Sequence, residues 1–293
     1  MNKTKLDTYF ANHDVLIADG ATGSNLIARG LPGGKTAEHW VIENPKEILK
    51  LHADFINSGS DIILTSTFGG SRIRLKHTGL DDQFKQVNVQ AVQIALEAVG
   101  NSPILIAGSM GPLGQMLKPL GPLEVQQAKE QYAAQAELLA SAGVDMLLVE
   151  TQFDLTEACS AIEGIRSVDN DIGLICSFSF DRGTKTMMGV TPSQFAQAMQ
   201  DYDLSSIGIN CGKSLSDNQA CLVELSGSTH LPIWYKPNAG LPTIDSGGNA
   251  TYSLLPQQMG VAAEGWPALG ACIMGGCCGT SPDHLQEIAK TIK

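Results

Sequence analysis

Three cysteines occupy positions from which they could ligate one soft metal ion. Cys277 and Cys278 are adjacent in the run Met274-Gly275-Gly276-Cys277-Cys278-Gly279-Thr280, and Cys211 closes the strand-like run 207–211. Three thiolates that meet at one point suit zinc and leave its fourth tetrahedral position open for water or a substrate. That arrangement is typical of a catalytic zinc site rather than a structural one.

The same cysteines have two other interpretations. Free cysteine is commonly buried as a small apolar side chain, so all three could be core residues. A vicinal disulfide between Cys277 and Cys278 is disfavoured because its ring is strained and a reducing compartment opposes it. The strand-end positions and the flanking glycines, which let backbone approach a metal closely, favour zinc. The other cysteines lie inside predicted helices or strands and are predicted to be core residues: Cys159, Cys176, Cys221 and Cys272.

Eight short apolar runs alternate with longer helical patterns, which is typical of parallel βα architecture. The strands are predicted at 15–19, 61–65, 104–108, 146–150, 173–177, 207–211, 233–236 and 271–275. The helices are predicted near 46–58, 82–99, 122–142, 154–167, 192–201, 214–226, 254–264 and 282–292. Eight units in 293 residues predict an α/β fold, a single (β/α)8 TIM-type barrel over residues 1–293. An open doubly wound sheet more often carries a phosphate-binding glycine fingerprint.

Local signals set several boundaries. Thr191-Pro192 and Ser281-Pro282 are helix-opening pairs, Gly143 is a helix stop, and Asp154 is predicted to cap a helix. The segment 237–248, rich in glycine and proline, is predicted to be a long βα loop.

Composition narrows the function classes. The formal charge of -11, with no local cluster of Lys or Arg, argues against a nucleic-acid partner. No apolar run approaches the roughly 20 residues that span a bilayer, and the N-terminus lacks a signal peptide, so we expect a cytoplasmic protein without a membrane partner. Seven cysteines argue for free or metal-bound thiols rather than a disulfide framework.

Polar residues stand where the predicted strands end, which is the face that carries the active site of a barrel. They are Asp19, Glu150, Cys211, Asn238, Cys277 and Cys278. Glu150 would enter the barrel mouth, where an ammonium group could pair with it. The turn after Asp19 could hold a carboxylate on its backbone N–H groups, although a plain tight turn also explains its glycines. Lys236 ends strand 7, as a Schiff-base lysine would, while the histidines are predicted to have surface or capping roles.

Five motifs in order resemble the homocysteine S-methyltransferase family over essentially the whole chain. They are DGATGS at 19–24, ETQFD at 150–154, NCG at 210–212, PNAGLP at 237–242 and GGCCGT at 275–280. The most similar branch is the homocysteine-binding barrel of cobalamin-dependent methionine synthase.

The resemblance implies a role for each site residue. Cys211, Cys277 and Cys278 match zinc ligands, and Asn238 matches a residue that may take the fourth position without substrate. Asp19 and Glu150 match residues that bind the homocysteine amino group. Backbone groups of the next turn match those that receive the substrate carboxylate, at Ala21, Thr22 and Gly23.

These roles predict a zinc-dependent methyl transfer to homocysteine that yields methionine. A free thiol with a pKa near 8.5 is a poor nucleophile until a metal deprotonates it. The donor is a small sulfonium or quaternary ammonium compound, or a corrinoid (methylcobalamin) carried by a separate protein, which the branch similarity favours. Two alternatives are a Schiff-base aldolase or lyase that uses Lys236, and a non-catalytic barrel that binds zinc or a corrinoid protein.

Overall fold

The structure is a computed structural model that describes residues 5–10, 13–244 and 250–293. Its centre is a ring of parallel strands in the order β1-β2-β3-β4-β5-β6-β7-β10, which confirms the predicted (β/α)8 barrel. The strands, numbered along the chain, are β1 (Leu16–Ile17), β2 (Ile62–Leu64), β3 (Leu105–Met110), β4 (Met146–Gln152), β5 (Gly173–Phe178), β6 (Ser206–Cys211), β7 (Ile233–Pro237), β8 (Pro242–Ile244), β9 (Ala250–Tyr252) and β10 (Ala271–Met274).

The ring closes between its shortest strand, β1, and β2. A single parallel bridge joins Ala18 to Ile62. Asp61 reinforces this seam, because its N–H donates to Ile17 O at 2.6 Å and its Oδ2 accepts from Ile17 N at 2.8 Å. A two-residue strand is therefore enough to close the barrel, since a side chain supplies a bond that the ladder lacks.

Helices surround the ring, and the eight predicted ones are all present with small shifts at their ends. The helices are α1 (Lys5–Phe10), α2 (Thr22–Ala28), α3 (Ala37–Glu43), α4 (Pro45–Asn57), α5 (Arg72–Thr78), α6 (Phe84–Val99), α7 (Val125–Ala142), α8 (Leu155–Val168), α9 (Pro192–Met199), α10 (Leu215–Ser226), α11 (Pro256–Ala263) and α12 (Pro282–Ile292). None of these described helices is long and apolar enough to cross a membrane.

The barrel has a core on each side of its wall. Inside the ring, apolar residues from alternate strands pack together around the fully buried Trp234. Leu6 of α1 joins this inner cluster, so α1 packs onto the barrel interior. A larger cluster lies between the strands and the outer helices. Both faces of the strands that form the ring are largely buried, which explains why their sequences are continuous apolar runs.

The predicted long loop after β7 contains secondary structure. Strands β8 and β9 form an antiparallel hairpin, in which Thr243 lies opposite Thr251 and their hydroxyl oxygens are 2.8 Å apart. The remainder of the predicted loop, 245–248, lies outside the described residues. The strands are three residues long each, too short to produce a readable alternation.

The predicted helix boundaries are confirmed. Asp154 caps α8 by accepting from Thr156 N and Glu157 N, and Gly143 ends α7 with φ +107°.

The predicted surface or capping role of the histidines is confirmed for five of them. His39 and His284 complete capping boxes, and His13, His77 and His230 are exposed. The prediction is wrong for His52, which is 1% exposed and whose burial lowers its pKa to about 4.

Candidate metal and substrate site

Three thiols converge at the carboxyl end of the barrel, as the sequence predicts. Cys211 is the last residue of β6, and Cys277 and Cys278 follow β10 after two glycines. The three Sγ atoms all lie within 4.8 Å of one another, and those of Cys211 and Cys277 are 2.7 Å apart. A tetrahedral zinc ion with bonds near 2.3 Å requires about 3.8 Å between sulfur ligands. The Sγ atoms of Cys211 and Cys277 are closer than that value, so these side chains would move apart slightly to accommodate a thiophilic cation.

The backbone around Cys277 and Cys278 is held by the end of β7 and its loop. Cys277 N donates to Pro237 O at 2.9 Å, and Ala239 N donates to Cys278 O at 2.9 Å. Glycine is required before the pair, because a Cβ on Gly276 would lie 2.3 Å from the side chain of Thr280. The two adjacent thiols therefore have a fixed backbone on which to meet Cys211.

Two strand ends carry strained backbone beside the thiols. Cys211 has φ +59° and Thr151 has φ +60°, in the left-handed region that residues other than glycine rarely adopt. Asn218 holds the first of these turns, since its Nδ2 donates to Cys211 O at 2.6 Å. Such strain clusters at functional sites, and here it coincides with a candidate ligand and with the residue after Glu150.

Asn210 is a site residue for which the sequence analysis gave no role. Its Nδ2 donates to Thr151 Oγ1 at 2.7 Å and lies 3.6 Å from the Sγ of Cys211 and 3.8 Å from that of Cys277. Its Oδ1 accepts from Thr151 N at 2.9 Å. Asn210 therefore links the β4 end to the thiols and offers them an N–H. Two signals in the sequence could have indicated it: its position next to Cys211 and its place in the NCG motif at 210–212.

Asn238 contacts the residue after Cys211 and has one side-chain oxygen without a partner among the described residues. Its Nδ2 donates to Gly212 O at 2.8 Å. Its Oδ1 is buried and has no hydrogen-bond partner among the described residues. An unpaired buried oxygen is costly unless a further partner satisfies it.

The three thiols differ in pKa. Hydrogen bonds from Cys211 and Cys277 lower the pKa of Cys278 to about 3, whereas hydrogen bonds to both neighbours raise the pKa of Cys211. The hydrogen bond with Cys211 lowers the pKa of Cys277, but its bond to Cys278 and its burial outweigh this and raise the pKa to about 12. Three thiolates this close repel one another, and a bound cation would stabilise all three together.

Three buried ionisable side chains lie near the thiols: Asp19, Glu150 and Lys236. Lys236 Nζ is 2.6 Å from Asp19 Oδ1, and Asp19 Oδ2 accepts from Leu64 N at 2.8 Å. Glu150 Oε1 accepts a hydrogen bond from Ser109 Oγ. Burial raises the pKa of Glu150 to about 7, with Lys236 opposing that rise. The predicted pair of carboxylates is present, but Asp19 already has an ammonium partner.

A cavity of about 810 Å³ opens above these groups. Its lining includes the predicted residues Ala21, Thr22, Gly23, Glu150, Cys211, Cys277 and Cys278, together with Lys236. Asp19 does not border the cavity, and neither does Asn238. Asp19 is 1% exposed and lies behind Lys236, so the structure places Lys236 nearer to a ligand than Asp19.

The turn after Asp19 leads into α2, whose first residues line the same cavity. Ala21 N is already used, since it donates to Thr280 O at 3.2 Å. Thr22 and Gly23 begin the helix, and no described side chain caps it. The first turn of a helix leaves its N–H groups without intrahelical partners. Thr22 and Gly23 therefore offer donors for an anionic group, while Ala21 shapes the turn.

Comparison with known proteins agrees with this geometry. The profile of a family described as homocysteine S-methyltransferase matches residues 16–292. Methionine synthase from Mycobacterium tuberculosis is 29% identical over 297 residues, a stretch that covers 95% of this chain and 24% of that protein. The one from Mycobacterium leprae is 28% identical, with the same coverage. The chain thus spans about a quarter of the length of these relatives.

Solved structures of similar fold include the homocysteine methyltransferase MmuM from Escherichia coli. Its metallated form superposes with a TM-score of 0.83 at 25% identity, covering 97% of this chain and 99% of that one. Its apo form gives 0.76 at 26% identity, covering 98% and 99%. The family profile spans all eight strands of the barrel and the thiol cluster, and the chain belongs to the homocysteine S-methyltransferase family.

Proposed function

We propose that this barrel transfers a methyl group to the sulfur of homocysteine, with a zinc ion held by Cys211, Cys277 and Cys278. The observation that carries the proposal is the convergence of three thiols within 4.8 Å, in the lining of a cavity that also contains a buried carboxylate. One end of this site suits a thiol and the other suits an ammonium group. Homocysteine carries both.

The donor set fits zinc better than it fits magnesium or calcium. Three sulfur atoms are soft ligands, and magnesium and calcium prefer oxygen. When bound, the zinc ion would lower the pKa of the substrate thiol so that a thiolate is available at neutral pH. Asn238 supports an adjustable fourth position, since its buried Oδ1 has no partner among the described residues and would serve as a ligand without substrate.

The protein's own residues orient the amino acid. Glu150 would accept the substrate ammonium, and the N–H groups of Thr22 and Gly23 would receive the carboxylate. Asn210 would donate a hydrogen bond from Nδ2 to the substrate sulfur. Its Nδ2 lies 3.6 Å from the Sγ of Cys211 and 3.8 Å from the Sγ of Cys277, where that sulfur would bind. Fixing both ends of the substrate holds its sulfur at one place, which contributes orientation rather than acid-base chemistry.

In the transfer, a bond forms between the substrate sulfur and the methyl carbon while the bond from that carbon to the donor breaks. The leaving group keeps the electron pair, and methionine is the product. The donor is a diffusing sulfonium or quaternary ammonium compound, or a methylated corrinoid carried by a separate protein. The similarity to methionine synthases supports the corrinoid protein.

The Schiff-base alternative is weaker because Lys236 is held as an ammonium ion. Burial alone would lower its pKa, but the charges of Asp19 and Glu150 outweigh this and raise it. A Schiff base needs the neutral amine. Trapping of a carbonyl substrate on Lys236 with borohydride, with activity that survives zinc removal, would restore that alternative.

The test is a methyl-transfer assay with zinc-loaded protein, homocysteine and a donor panel of methylcobalamin, S-methylmethionine, S-adenosylmethionine and betaine. We expect methionine from at least one donor and loss of both zinc and activity in Cys211→Ala. The matched control is Cys272→Ala, because Cys272 is a half-buried thiol of β10 outside the cluster. Binding of a partner without turnover of any thiol and donor pair would instead indicate a non-catalytic barrel.

A further inference from the structure

Lys236 has a position that the proposed substrate contacts do not explain. Its Nζ lies 2.6 Å from Asp19 Oδ1, and the two side chains are 3% and 1% exposed. The other oxygen of Asp19, Oδ2, accepts from Leu64 N at 2.8 Å. Both oxygens of Asp19 are therefore engaged within the protein, and a substrate ammonium would have to displace Lys236 to reach them.

Glu150 is engaged on one side only. Its Oε1 accepts from Ser109 Oγ, and no described residue donates to its Oε2. Glu150 borders the cavity and so does Lys236, whereas Asp19 does not. Glu38 also borders the cavity, but of Asp19 and Glu150 only Glu150 would meet a ligand there, with its Oε2 free.

The charges of these groups do not balance. Two buried carboxylates, Asp19 and Glu150, face one ammonium, Lys236, which leaves one negative charge when all three are ionised. An unpaired charge in such a place is costly until it gains a partner. One added ammonium group would neutralise this negative charge, and a second would leave a net positive charge.

We propose that Lys236 determines amino-group recognition by pairing with Asp19, which reserves Glu150 for the ammonium of the acceptor thiol. This inference rests on the proposed function and changes the expected role of one residue. Glu150 contacts the substrate, and Asp19 is a positioning residue that keeps Lys236 away from Glu150. A thiol without an amino group binds poorly, because it leaves Glu150 without its partner.

The test uses cobalt(II)-substituted protein and needs no methyl donor. Cys211, Cys277 and Cys278 themselves give a cobalt–thiolate charge-transfer band, and the change in that band when a thiol is added reports its binding. Titration with L-homocysteine and with 4-sulfanylbutanoate, which lacks only the amino group, gives two Kd values and their ratio. We expect the wild-type protein to prefer homocysteine by at least ~30-fold, the lower end for losing one partner of a buried charge pair.

Two variants separate the roles of the carboxylates. Asp19→Asn releases Lys236 to pair with Glu150. The Kd values of homocysteine and 4-sulfanylbutanoate should then differ by no more than about threefold. Adding Lys236→Met removes that competing ammonium, and the preference returns to at least ~10-fold although Asp19 is still absent. Replacing both members of a buried ion pair by neutral groups is commonly tolerated. Thermal unfolding checks this, and Asp19→Asn/Lys236→Gln is the second form of the double variant.

The outcomes are distinct. If the double variant is as unselective as Asp19→Asn, Asp19 contacts the ammonium itself and the inference is overturned. If Asp19→Asn weakens both thiols equally and keeps the preference, Asp19 and Lys236 have only a structural role, which also overturns it. If neither thiol changes the charge-transfer band of the wild-type protein, the proposed function fails, and the inference fails with it.

Discussion

Ionised Glu150 is expected to destabilise the protein until a ligand pairs with it. Burial raises its pKa from 4.5 to about 7, with Cys277 and Asp19 adding to this and Lys236 and Ser109 opposing it. At 1.36 kcal/mol for each tenfold change, that rise corresponds to about 3 kcal/mol. Because the pKa is higher in the folded state, the penalty is absent below pH 4.5, grows as the pH rises, and is complete above pH 7.

Glu150→Gln removes the charge and retains the oxygen that accepts from Ser109. In the reduced, metal-free protein at pH 8, we expect the free energy of unfolding of the variant to be about 3 kcal/mol higher than that of wild type. At pH 5 the difference should fall to about 1 kcal/mol, since most of the native carboxyl is then protonated. The variant should gain stability while it loses the amino-group preference.

The assay is urea unfolding followed by circular dichroism at both pH values. Glu163→Gln is the matched control, because the hydrogen bond from Lys129 lowers the pKa of Glu163 and the exposed ion pair makes only a small contribution. That control should be slightly less stable than wild type at pH 8. A Glu150→Gln variant that is no more stable than wild type at pH 8, or whose gain is equal at both pH values, would refute the reasoning.

Three further results are expected. The preference for homocysteine over 4-sulfanylbutanoate should fall about tenfold between pH 8 and pH 6 as Glu150 gains its proton, and a flat ratio of Kd values would contradict this. Cys277→Ser should lower the zinc content, measured by plasma mass spectrometry, well below about one ion per chain; unchanged zinc would remove Cys277 from the ligand set. Asp154→Ala should cost about 1 kcal/mol in urea unfolding through loss of the α8 cap, and an unchanged midpoint would contradict the cap.

The barrel and the thiol site were predictable because they depend on strong local signals. Each strand is an apolar run buried on both faces, and the ends of parallel strands must meet on one side of a barrel. Cys211, Cys277 and Cys278 were placed together by that rule alone. The caps at Asp154 and Gly143 follow from side-chain and backbone preferences that act within a few residues.

The features that the sequence did not predict are either too short to give a pattern or depend on contacts between distant residues. Helices α2, α3 and α5 have seven residues each, which is too short for a clear helical period. The pairing of Asp19 with Lys236 joins residues 217 positions apart, so no local pattern signals it. For the same reason, Lys236 looked like a Schiff-base lysine when only its strand-end position was known.

The central claim is that three cysteines hold a zinc ion whose remaining position takes the substrate sulfur. X-ray absorption at the zinc edge counts the sulfur ligands directly. We predict about three sulfur ligands near 2.3 Å for the zinc-loaded protein and about four after homocysteine is added. A sulfur count that does not rise with homocysteine, or a shell made mainly of nitrogen and oxygen, would contradict the account.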